Sequence, residues 1–233
     1  MLLLALDTAT DGVAVAVHDG TRVLDARRAG DARHHNEVLV PTIAAALAAA
    51  GRERGEVTDV AVGVGPGPFT GLRVGLVTAR TLALAWGAAL HGVCSLDALA
   101  AQALVRGAVP AVGEFLVATD ARRREVHTAR YRVVPEAGGG AGPERLVRVA
   151  GPDVLAPSAV QRDGLTVVGR GAALYPDALG PAGPLADVDA GFLAQVAVDA
   201  LAGRGGPGLL PAEPLYLRRP DAVEPGARKR VTA

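Results

Sequence analysis

Residues 65–75 read GPGPFTGLRVG. They follow an apolar run, Val60-Ala61-Val62-Gly63-Val64, and precede an alanine- and leucine-rich stretch over 72–87. The run has the length and composition of a buried strand, and the stretch that of a helix. Between them, glycine supplies positive φ and proline holds φ near about −65°, which makes a tight turn. Thr70 is placed to cap the helix through a free backbone N–H of its first turn. A strand, a glycine-rich turn and a helix N-terminus together form a shape that binds phosphate. The turn has no lysine, so it is not a P-loop.

Working outward, 2–6 and 12–18 read as strands, and Asp19-Gly20 as a two-residue hairpin turn leading to a third strand over 21–27. A helix runs from His34 to about Ala50 and ends at Gly51, with Pro41 either starting its regular part or kinking it. After the strand 60–64 and the helix 72–87 come a short strand, 89–93, and a helix 96–105 capped by Ser95. The order is βββαβαβα. A weaker second copy follows: strands 114–120 and 125–133 joined by an Arg-rich turn, a glycine-rich loop 136–143, a strand 145–149, a helix 153–160 and a strand 166–169. Asp189 caps a last helix, 190–202, and the end of the chain is proline-rich. The expected fold is α/β, with two actin-like lobes of mixed sheets flanked by helices and the second lobe reduced. The first lobe spans 1–108, the second 109–206, and a tail, 207–233, docks on the first lobe.

Half of the 233 residues are hydrophobic, and the formal net charge is zero. The balance provides no long-range field to draw in nucleic acid. Cys94 is the single cysteine, so no intrachain disulfide forms. The apolar start stops at Asp7, too short for a signal peptide or a membrane span. The expectation is a cytoplasmic protein with no membrane contact.

In the actin-like plan a nucleotide lies between the lobes, its phosphates held by the first hairpin of each. Here those hairpins are Asp7-Thr8-Ala9-Thr10-Asp11-Gly12 and Asp120-Ala121-Arg122-Arg123-Arg124. Asp7, Thr8 and Asp120 are the candidates for a vestigial nucleotide or magnesium site; the bland reading is a pair of turns satisfied by their own side chains. The second hairpin lacks the glycines that let phosphate approach a backbone. Arg122, Arg123 and Arg124 form either a solvated tip or a contact for RNA or protein. His34-His35-Asn36-Glu37 lacks the i, i+4 spacing of metal ligands on one helical face, so no metal site is expected. No G-x-S-x-G elbow is present, and the cap role of Ser95 accounts for its place beside Cys94.

The helix 72–87 is apolar nearly all round, with Arg73 and Arg80 marking a narrow polar edge. One side belongs on a sheet; the other needs a neighbouring helix or another chain. Gly71, Gly75 and Ala79 form a small-residue strip that permits close helix approach. With the helix 38–49 this makes a candidate partner interface: Val38, Leu39, Ile43, Leu47, Gly71, Leu72, Arg73, Gly75, Leu76, Ala79 and Arg80.

Five segments carry a family resemblance: LLLALDTAT at 2–10, GVGPGPFTGLRVGLVTARTLA at 63–83, HGVCSLDALA at 91–100, ATDARRREVHTARY at 118–131 and PLYLRR at 214–219. They resemble the TsaB (YeaZ) family of bacterial tRNA threonylcarbamoyladenosine biosynthesis proteins. The resemblance implies an actin-like fold with no catalytic residues and no cofactor. It implies pairing with the related transferase TsaD, or with itself when isolated, through helices of the first half. The TsaE ATPase then joins the complex, and any tRNA contact is indirect or weak. TsaD holds its metal with two histidines at i, i+4 on a helix, a pair this chain lacks. A nucleotide-dependent enzyme of the sugar-kinase type is the alternative reading, and a peptidase-like protein the minor one.

Overall fold

A computed structural model describes residues 1–30, 35–135, 145–181 and 183–218. His34, the side chains of His35 and Asn36, the loop 136–143, and Arg228, Lys229 and Arg230 lie outside the described residues.

The first sheet is built from β1 (Leu3–Asp7), β2 (Val13–His18), β3 (Val23–Ala29), β4 (Asp59–Gly63) and β5 (Ala89–Val93) in the order β3-β2-β1-β4-β5. β1, β2 and β3 pair antiparallel, whereas β1–β4 and β4–β5 are parallel. The crossovers are α1 (His35–Ala49) and α2 (Phe69–Trp86). After α3 (Ser95–Val105), the second sheet has the order β8-β7-β6-β9, from β6 (Gly113–Asp120), β7 (Val126–Val134), β8 (Arg145–Leu155) and β9 (Thr166–Val168). It keeps the antiparallel triplet and one parallel strand, a reduced copy of the first. Short helices α4 (Arg170–Leu174) and α5 (Pro176–Leu179) precede α6 (Ala190–Leu201).

Side-chain alternation along β1 explains the layers. Leu4 and Leu6 point to one side of the sheet, where Leu39, Ile43 and Leu47 of α1 and Leu76, Ala79 and Ala83 of α2 cover them. Leu3 and Ala5 point to the other side, into a core that continues through Leu193 and Ala197 of α6 and Leu96 and Leu99 of α3 to Phe115 and Tyr131 of the second sheet. A separate cluster, including Leu116, Val126, Ala172 and Leu179, packs α4 and α5 on that sheet's far face. The lobes therefore share one apolar core. α6, expected within 109–206 as part of the second lobe, lies against β1, β2 and β3 of the first sheet.

Other expectations also need correction. The 153–160 segment is not a helix: β8 continues to Leu155 opposite β7 and ends in a 3-10 turn, Pro157–Ala159. Hydrogen bonding to β7 outweighs the local pattern. The hairpin at Asp19-Gly20 is wider than two residues, with His18 opposite Val23. The Asp19 carboxylate accepts the N–H groups of Thr21 and Arg22 and the Thr21 hydroxyl. Those bonds hold it far below the usual carboxylate range. Pro41 lies inside α1, not at its start. Asp189 does cap α6, its Oδ1 accepting the Gly191 N–H at 2.9 Å.

Candidate functional site

The glycine-proline turn faces inward, onto the first hairpin. A β-carbon at Gly67 would collide with the backbone oxygen of Ala9, one at Gly63 with the Asp7 carboxylate, and one at Gly75 with the Thr8 hydroxyl. The small residues thus admit residues 7–9 against β4 and α2. The strip of Gly71, Gly75 and Ala79 serves this contact instead of the helix–helix approach expected for it. Thr70 is not the cap either: α2 starts at Phe69, and Pro68 flanks it.

Asp7 and Thr8 are buried in this contact. Asp7 Oδ1 accepts the Ala9 N–H at 2.9 Å, and Asp7 Oδ2 accepts the Ser95 hydroxyl at 2.5 Å. Ser95 Oγ in turn accepts the Gly65 N–H at 3.2 Å. Ser95 is therefore the first residue of α3 and a cross-link between β1 and the turn, while Cys94 flanks the helix. The Thr8 hydroxyl donates to the Gly71 carbonyl at 2.8 Å. Both side chains are committed to protein partners and neither lines open space.

The cleft between the two hairpins is filled by charge. Asp11, at the tip of the first hairpin, pairs with Arg122 at 2.9 Å and Arg170 at 3.1 Å. Arg122 also pairs with Asp120 at 2.9 Å. Arg170 and Arg28 both reach Asp187, each at 2.6 Å. The hydrogen bond from Asp187, more than its charge, raises the Arg170 pKa. Arg122, Arg123 and Arg124 all take left-handed backbone conformations, with φ of 60°, 54° and 60°. This bends the turn so that Arg122 lies across the cleft. The remaining cavity, lined by residues such as Ala9, Asp11, Asp120 and Asp187, has a volume of about 10 Å³. That is room for about one water. Of the vestigial candidates, Asp120 alone borders it. Asp11, Arg28, Arg170 and Asp187 were not foreseen as a group, because no spacing along the chain connects a hairpin, an edge strand, a short helix and a loop.

Deeper, Asp97 is fully buried. Its Oδ1 accepts the Tyr131 hydroxyl at 2.7 Å and lies 3.4 Å from Arg148 Nε. Burial raises the Asp97 pKa. Burial also pushes the Cys94 thiol up to about 12. A thiol so far from ionisation is no nucleophile at neutral pH. Among the described residues no group of His, Cys, Asp and Glu side chains is arranged to hold a metal.

The outer helical face differs from the expected interface. Leu39, Ile43, Leu47, Gly71, Leu72, Gly75, Leu76 and Ala79 are buried within the chain, because that side of α1 and α2 lies on the sheet and hairpin. They cannot touch a partner without unfolding. Arg73 and Arg80 are exposed and Val38 is half-buried. The apolar residues facing outward are others: Val40 is 58%, Val77 63% and Leu84 87% exposed, with Phe69 at 40%. Residues 209–218 cross the base of α2 as a strap. Leu210 and Gly92 exchange backbone hydrogen bonds, and the Leu215 N–H donates to the Val64 carbonyl.

Fold and cleft together define an actin-like two-lobed protein whose interlobe site is closed by its own arginines. The model of the TsaD family, tRNA N6-adenosine threonylcarbamoyltransferase, matches residues 30–168, more than half of the chain. Uncharacterized proteins of Mycobacterium leprae and Mycobacterium tuberculosis are each 41% identical to it, over 95% and 94% of this chain. The chain spans 56% of the M. leprae protein and 93% of the M. tuberculosis one. The Escherichia coli tRNA threonylcarbamoyladenosine biosynthesis protein TsaB is 35% identical over 133 residues, covering 57% of this chain and 55% of that protein. The crystal structure of YeaZ from Pseudomonas aeruginosa superposes with a TM-score of 0.74 at 27% identity, covering 92% of this chain and all of that one. The chain belongs to the TsaD family and is a homologue of TsaB (YeaZ).

Proposed function

We propose that the chain is a non-catalytic subunit needed for threonylcarbamoyladenosine modification of the tRNA adenosine beside the anticodon. It acts in the cytoplasm by binding and activating the TsaD-type transferase, and the TsaE ATPase joins the pair. The observation that carries this reading is a contrast between two surfaces. The cleft where an actin-like protein holds its nucleotide contains Arg122 and Arg170, each paired with carboxylates. The outer side of α1 and α2, by contrast, leaves Val40, Val77 and Leu84 open to solvent. Burying such a side chain fully contributes about 1.5–3 kcal/mol, so three of them supply a useful part of an interface. Homology to TsaB supports the pathway, and membership of the TsaD family supports a related chain as partner.

The test is to co-purify the chain with the TsaD of its own cell and assay threonylcarbamoyl transfer with and without it. Transfer should depend on the chain, and Leu84→Glu should abolish both the complex and the transfer while the thermal melt is unchanged. Calorimetry with ATP and magnesium addresses the nucleotide-dependent alternative. Tight binding by the isolated chain, lost in Asp7→Ala, would favour that enzyme.

A further inference from the structure

The outer stripe of α2 has a regular spacing. Arg73, Val77, Arg80 and Leu84 follow one another at four, three and four residues, and all are exposed. Alternating steps of three and four keep side chains on one seam of a helix, the arrangement a second helix packs against lengthwise. The seam alternates cation and apolar residue. α2 carries these two arginines and no carboxylate, and among the described residues neither arginine is ion-paired. α1 beside it adds a single carboxylate, Glu37 in its first turn. The face is therefore apolar and positively charged on a chain whose formal net charge is zero.

The strap holds the cations in place. Arg80 donates through Nε and Nη2 to the Ala212 carbonyl at 3.2 and 2.7 Å. Arg73 donates through Nε to the Tyr216 hydroxyl at 3.2 Å, and its guanidinium carbon sits 3.6 Å from the centre of the Phe69 ring. Phe69 and Tyr216 stack with centroids 5.1 Å apart. An arginine fixed by a neutral carbonyl or phenol keeps its full charge for a partner. It also loses less side-chain entropy on binding than a free one.

We infer that this seam receives an amphipathic helix of the transferase partner. That helix presents apolar residues to Val77 and Leu84 and carboxylates, about one heptad apart, to Arg73 and Arg80. The strap belongs to the docking surface because it orients both arginines. The inference rests on the docking reading above and adds the chemistry of the occupant.

Binding of the full-length chain to its cell's TsaD, measured by calorimetry over a series of salt concentrations, tests it. Arg73→Gln and Arg80→Gln should each weaken binding about tenfold and flatten its salt dependence. Arg80→Lys, which keeps the charge, should recover most of the loss. Tyr216→Ala should weaken binding in the same direction without altering the thermal melt by more than a few degrees. Should Leu84→Glu abolish binding while both glutamine variants bind like the parent with the same salt slope, the acidic helix is wrong and the docking face stands. Parent-like binding by Leu84→Glu would overturn the face itself. A chain that sediments alone as a dimer, dissociated by Arg73→Gln and Arg80→Gln while TsaD affinity stays unchanged, would make a second copy the occupant and overturn the inference.

Discussion

His127 on β7 is buried, and its Nδ1 has no hydrogen-bond partner among the described residues. Burial lowers its pKa from 6.5 to about 4, against a smaller opposing pull from the Asp120 charge. The folded state thus binds a proton less readily than the unfolded chain does. Stability from this group is present above about 6.5 and is lost as the pH falls towards 4, by about 3 kcal/mol in full. Thermal melts at pH 7 and pH 4.5 should therefore lie closer together in His127→Phe than in the parent. An unchanged gap between the two melts would show that His127 is not the group responsible. At this scale the sequence was only partly legible. His127 reads as an isolated histidine in a strand, and nothing along the chain places Asp120 near it. Ser95 reads as a helix cap because a serine before an apolar run usually is one. Its bond to Asp7, 88 residues earlier, exists only once β1 and α3 meet.

At the scale of elements, α2 has two faces with different tolerance. Leu76 is buried against the first sheet and Leu84 stands in solvent, eight residues along the same helix. Leu76→Ala should cost about 2–5 kcal/mol in urea denaturation, while Leu84→Ala should fall within about 0.5 kcal/mol of the parent. Equal losses would mean that α2 is rotated from the orientation described. An arginine placed at Gly75 would break the fold before it could report on any interface, because Thr8 already fills that space. The existence of α2 was legible from composition; its rotation was not. With apolar residues almost all round, the sequence contains no clear stripe to say which side meets the sheet. α6 shows the same division. Its cap and apolar content announce a helix, but its place on the first sheet depends on packing across more than a hundred residues of chain.

For the whole molecule, the shared core has a mechanical consequence. Apolar contacts run without a break from β1 through α6 and α3 to Phe115 and Tyr131. The two lobes should therefore unfold together. Fluorescence of Trp86, the single tryptophan and packed beside the first lobe's outer core, should give the same denaturant midpoint as far-UV circular dichroism of the whole chain. Separate midpoints would show that the lobes are independent units. Across the mouth of this core, the charged network of Asp11, Arg122, Arg170, Asp187 and Arg28 ties the two hairpins and the edge strand. Exposed ion pairs contribute little each, so the network matters more for filling the cleft than for stability.

By itself the sequence determined the element order, the repeated βββα plan and the family, because these rest on local periodicity, turn chemistry and a distinctive run of residues at 65–75. Tertiary structure alone decided what that run does. Its glycines are small because the first hairpin lies against them, and a steric requirement between residues 60 positions apart leaves no mark on either segment alone. The same holds for the cleft: whether three arginines at a hairpin tip are solvated or close a site depends on which carboxylates the fold brings opposite them. Only the folded chain places Asp11 and Asp120 there.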